Sequence, residues 1–114
     1  MDKDLQFHIT ETIKHKNNVC EYLLHIAEVL ELRGRKHDNS KLEDPEQSIF
    51  VEYTPKLKNS TYGSEEYNRF LKEMKPALDH HYANNRHHPE HFENGIKDMN
   101  LINLIEMFFD WFAA

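Results

Sequence analysis

Cysteine is nearly missing from this 114-residue chain. Cys20 stands alone, so no intrachain disulfide can form and a reducing compartment is expected. Glycine is scarce too, at positions 34, 63 and 95 only, and strand signals are weak, which leaves little room for a turn-rich β architecture. No apolar run follows Met1-Asp2-Lys3-Asp4, and none elsewhere is long enough to span a membrane. Neither a signal peptide nor a membrane anchor is therefore expected, and the location read from the sequence is cytoplasmic. Basic residues are outnumbered, giving a net charge of −6, which argues against a nucleic-acid groove because such a groove needs a basic patch. Acidity does not exclude a phosphate-bearing substrate, since a bound metal offsets negative charge locally. The length is that of one domain, residues 1–114, with a modest core.

What the chain has instead is helical periodicity. From Thr10 to Arg33, Ile13, Cys20, Leu23, Leu24, Ala27 and Leu30 form one stripe, with His15, Val19, Tyr22 and Ile26 beside it. Gly34 is the expected stop. Leu5, Phe7 and Ile9 alternate too briefly for a strand and read as a lead-in or as first helical turns. A second helix is expected from Pro45, carrying Ile49, Phe50 and Tyr53 and ending before Pro55, with a loop over 55–63. Ser64 is the expected cap of a third, with Tyr67, Phe70, Leu71 and Met74; Pro76 kinks or restarts it. Residues 83–100 read as a structured loop. Asn100 is placed as the cap of a last helix, whose apolar side is Leu101, Leu104, Ile105, Phe108, Trp111 and Phe112. The fold class is therefore all-α, a compact single-domain bundle of about five to six helices.

The histidines are the most informative feature. Nine occur, and they cluster: His37 opens His37-Asp38-Asn39-Ser40-Lys41, and the doublets His80-His81 and His87-His88 are followed by His91. Neutral imidazoles and carboxylates together suit divalent transition metals. His37 and Asp38 on one turn can reach one ion, and Asp38 can bridge two. Lys41 lies three residues after Asp38, where one turn brings its ammonium back beside the metal, in position to hold a phosphate oxygen. Taken alone, the same string reads equally as a helix-capping loop. One imidazole of each doublet can serve an ion while the other binds backbone, substrate or a supporting carboxylate. Arg86, between the doublets, is a candidate anion clamp. Asp110, crowded by Phe108, Phe109, Trp111 and Phe112, needs a partner. The bland alternative is a solvated acidic face shared with Asn103, Glu106 and Met107.

Read in order, His15, His37-Asp38, Lys41 and Asp110 resemble the pattern of the HD-domain superfamily of metal-dependent phosphohydrolases. Members with two metals add histidines in the interval where the doublets fall. The strings His37-Asp38-Asn39-Ser40-Lys41 and His80-His81 with His87-His88 also resemble a family of small proteins, frequent in bacteriophage and bacterial genomes, that carries no assigned activity. The resemblance implies one or two divalent ions, of manganese, iron, nickel or zinc. His15, His37, Asp38 and Asp110 would hold the first, and His81 and His88, with Asp38 bridging, the second. The implied activity is hydrolysis of a small phosphorylated molecule, such as a nucleotide, with Lys41 and Arg86 neutralising charge in the transition state. In a phage setting the location becomes the host cytoplasm. Two other functions fit the same residues: a di-iron oxygenase with the same ligand set, and a non-enzymatic protein that sequesters a nucleotide or binds a host protein.

Overall fold

The computed structural model describes residues 2–114 and is all-α, with no strand among the described residues. Five α-helices run in chain order: α1 (Lys3–Lys36), α2 (Glu46–Lys58), α3 (Glu65–Glu73), α4 (Lys75–Asn84) and α5 (Leu101–Ala113). Short 3₁₀ turns occupy Asn39–Leu42, Pro89–His91 and Gly95–Asp98. By packing, the chain divides into two units, Met1–Arg35 and Lys36–Ala114. The first is the bulk of α1, a helix of 34 residues that buries none of them. None of the helices among the described residues is long and apolar enough to cross a membrane.

Local chemistry explains most of the boundaries. The hydroxyl of Ser64 accepts the Tyr67 N–H at 3.1 Å, and the Asn100 side-chain oxygen accepts the Asn103 N–H at 2.8 Å, so both expected caps are made. Pro76 restarts the helix: α3 ends at Glu73 and α4 carries the proline in its first turn, where no N–H is needed. Two expected stops are overrun. Gly34 lies inside α1, which continues to Lys36. Glycine merely permits a left-handed exit, and no such exit is taken here. α2 passes through Pro55 to Lys58. The carbonyl that Pro55 leaves without an N–H belongs to Val51, an exposed residue that water can reach. Gly63 and Gly95 do use their freedom, at φ of 78° and 64°.

In the second unit α2 packs on α3 and α4, and the 3₁₀ turn Asn39–Leu42 packs on both α2 and α4. Phe70, Met74, Ala77, Met99 and Met107 are its buried apolar side chains. The largest fully buried side chains are polar: His87, Glu46 and Asn103. Of the expected apolar side of α5 only Leu104 and Ile105 are half-buried. Leu101, Phe108, Trp111 and Phe112 are exposed, while Asn103 and Met107 are buried and Glu106 and Asp110 half-buried. The face that reads as a solvated acidic stripe is the inward one. Since the Asn100 cap helps hold α5 in register, Asn100→Ala should lower stability by about 1 kcal/mol, read from the urea midpoint.

Candidate metal centre

The site is assembled from four segments of the second unit. His37 and Asp38 lie between α1 and the 3₁₀ turn. Asp38 has φ of 56°, a left-handed conformation that aspartate tolerates better than most residues. The turn that follows carries Lys41 back so that its Nζ lies 3.0 Å from Asp38 Oδ2. α4 supplies His80 and His81, the segment after it supplies His87 and His88, and α5 supplies Glu106 and Asp110. Asn85, buried at the end of α4, ties these segments together: its side-chain amide donates to Ser40 Oγ and to the His81 carbonyl, both at 2.8 Å.

Carboxylates fix the orientation of four imidazoles: His80, on Glu46, and the three of the cluster, His37, His81 and His87. A carboxylate can only accept, so each histidine nitrogen facing one carries the proton. His81 Nδ1 donates to Glu46 Oε1 at 2.6 Å. His37 Nδ1 and His87 Nδ1 both donate to Glu106 Oε2, at 2.8 and 2.7 Å. In each neutral ring Nε2 is then the acceptor, and these atoms face His88 and two carboxylates. His87 Nε2 is 3.2 Å from Asp38 Oδ1 and 3.8 Å from Asp110 Oδ2. His81 Nε2 is 3.4 Å from Asp38 Oδ1 and 3.0 Å from His88 Nε2. His37 Nε2 is 3.3 Å from Asp110 Oδ1. Asp38 Oδ1 and His87 Nε2 are buried without a hydrogen-bond partner. These two acceptors face each other with no donor between them, a repulsion that a cation placed there would turn into coordination. Two groups of ligand atoms lie within 4.8 Å of one another: Asp38, His81, His87 and His88, and His37, His87 and Asp110.

The proton affinities follow from the same geometry. Burial and the neighbouring His88 hold the His87 imidazole below its ordinary value, and burial with His81 does the same to His88. Both shifts favour the neutral imidazole, the form that has a lone pair to give. Burial also opposes a charge on His37, but its hydrogen bond to Glu106 and the negative field of Asp38, Asp110 and Glu106 outweigh it and raise its pKa. Burial pushes the Asp38 carboxyl up, and the bond and charge of Lys41 more than reverse this. Glu46 behaves likewise: its burial is overcome by hydrogen bonds from Ser40, His80 and His81, and it stays below the ordinary glutamate range.

Among the residues singled out from the sequence, the structure brings together His37, Asp38, Lys41, His81, His88 and Asp110. His15 is exposed on α1 in the first unit and belongs to neither ligand group. Arg86 is exposed, with its guanidinium carbon 5.6 Å from the centre of the Phe92 ring. Three residues enter the site unforeseen. His87, not chosen over its neighbour in the doublet, is shared by both ligand groups. Glu106 lies one turn before Asp110 on the same helical face, a spacing that marks it. Glu46 has no local signal; only the packing of α2 on α4 puts it under His80 and His81.

Beside the cluster lies a cavity of about 410 Å³ lined by Lys41, Phe50, Thr54, Met74, Leu78, His81, Tyr82 and His88. Two candidate ligands and one cation thus face into a largely apolar space. Arg86 is not among the lining residues. No curated protein and no solved structure matches the chain. A family model matches residues 4–114, nearly its whole length, and the chain accordingly belongs to that family, the family of unknown function DUF5662.

Proposed function

We propose that the cluster is a divalent-metal centre, with manganese, iron, nickel or zinc as the ion, and that the protein hydrolyses a small phosphorylated molecule of the nucleotide class. The observation that carries the reading is the arrangement of His37, His81 and His87. Each is held through Nδ1 by a carboxylate and turned inward through Nε2, the way metal-ligating histidines are oriented in metalloproteins generally. The resemblance to the HD-domain pattern supports it, because His37, next to Asp38 in the chain, faces Asp110 although the two are far apart in sequence. One imidazole nitrogen binds one ion. His87 would therefore help to hold one ion only, together with either Asp38, His81 and His88 or His37 and Asp110.

When bound, such an ion lowers the pKa of a coordinated water and polarises phosphoryl oxygens. The chain supplies the rest. Glu46 and Glu106 fix tautomers and ring orientations. Phe50, Met74, Leu78 and Tyr82 give the cavity an apolar wall against which the body of the substrate rests. Lys41, on the rim beside Asp38, places a positive charge where phosphoryl oxygens enter.

Lys41→Ala should keep metal and fold but lose activity by roughly ten- to a thousandfold, the scale of one charge-assisted contact made in a transition state. Metal content, melting temperature and rate on the best ester from a nucleotide screen are compared. Full activity in the variant contradicts the role given to Lys41. A wild type that binds metal but turns over no phosphate ester with any of the four ions overturns the hydrolase reading. Iron with a visible absorption band in air then points to oxidation of a carbon substrate, for which the apolar cavity wall is also suited. Retained nucleotide binding without turnover points to sequestration.

A further inference from the structure

The first unit poses a separate question. A helix stays folded in water mainly by packing an apolar face, yet α1 buries nothing over 34 residues. Its residues Leu5, Ile9, Thr12, Lys16, Val19, Leu23, Ile26 and Leu30 follow one another in alternating steps of four and three, the spacing of a coiled-coil seam. Six of these are apolar; five of the six are exposed and Leu30 is half-buried. Ile13 and Tyr22, both exposed, flank the seam.

We infer that this seam is the interface of a homodimer in which α1 packs antiparallel against α1 of a second copy. Full burial of a large apolar side chain removes roughly 60–120 Å² from water, so eight of them approach the area of about 800 Å² that each partner gives to a specific interface. Antiparallel pairing sets Leu30 opposite the second copy's Leu5 and Ile9 opposite its Ile26. Leu23 then meets Thr12, and Lys16 meets Val19, along whose surface its stem can lie while the ammonium reaches water. The parallel alternative sets Lys16 against Lys16 within the seam, a like-charge contact that selects against it. The arrangement is two-fold symmetric, as most homodimers are.

Cys20, the single cysteine, sits close to the two-fold axis of this pairing and provides a native probe. The full chain should sediment as a dimer, and a short bismaleimide should link Cys20 to Cys20 in the wild type. Leu23→Glu should raise the dimer dissociation constant by roughly a hundredfold, since it removes two buried leucines per dimer. Its thermal unfolding shows whether the second unit remains folded. A chain that stays monomeric at every concentration tested overturns the inference. So does a dimer that bismaleimide does not link and Leu23→Glu does not weaken, because another surface, such as the exposed aromatic face of α5, then carries the contact.

Discussion

Asp38→Asn should strip most of the bound metal, weakening affinity by at least roughly a hundredfold, while His25→Ala leaves metal content at the wild-type level. Asparagine is chosen because it keeps the shape of the side chain and accepts the left-handed backbone at φ of 56°. Alanine there adds backbone strain to the loss of charge. The size of the effect follows from position: Asp38 Oδ1 lies 3.2 Å from His87 Nε2 and 3.4 Å from His81 Nε2, and it is buried without a hydrogen-bond partner. His25 lies exposed on α1 and belongs to neither ligand group. Elemental analysis of the two variants, purified side by side without chelator, makes the comparison. Equal metal in both removes Asp38 from the centre.

Glu46→Ala should be the most destabilising single substitution in the second unit, at about 3–5 kcal/mol in chelator-treated protein. Glu46 is 0% exposed, and its two oxygens hold His80 and His81 at 2.5 and 2.6 Å. Removing it leaves two imidazole N–H groups without an acceptor and opens a cavity between α2 and α4. The control is Glu52→Ala on the same helix, whose partner Lys56 is 3.2 Å away on the surface. A surface pair of that kind is worth about 1 kcal/mol at most. Urea midpoints measure both. A second consequence follows for the metal: without Glu46 the His81 ring loses its fixed orientation, and affinity should fall roughly ten- to a hundredfold. If Glu46→Ala is no less stable than Glu52→Ala, the carboxylate does not hold the histidines as described.

Capping and periodicity act over one or two turns, and what depends on them alone was legible in the sequence. The all-α class, the caps at Ser64 and Asn100 and the break at Pro76 are all set within three or four residues. The stops at Gly34 and Pro55 failed because glycine only permits an exit and proline removes a single hydrogen bond, and a helix goes on where the next turn is still favourable. The residue types of the candidate centre, histidine and aspartate in clusters, were equally plain from the residues. Which imidazole turns inward was not, because that depends on the acceptor behind it: Glu46 is brought from another helix to His81, and Glu106 from another helix to His37 and His87. The face of α5 is the clearest case. Its sequence offers two stripes, one aromatic and one carrying Asn103, Glu106, Met107 and Asp110. Hydrophobicity alone selects the first. Only the tertiary structure, by setting His37 and His87 against α5, selects the second, since carboxylates taken from water must face groups that satisfy them.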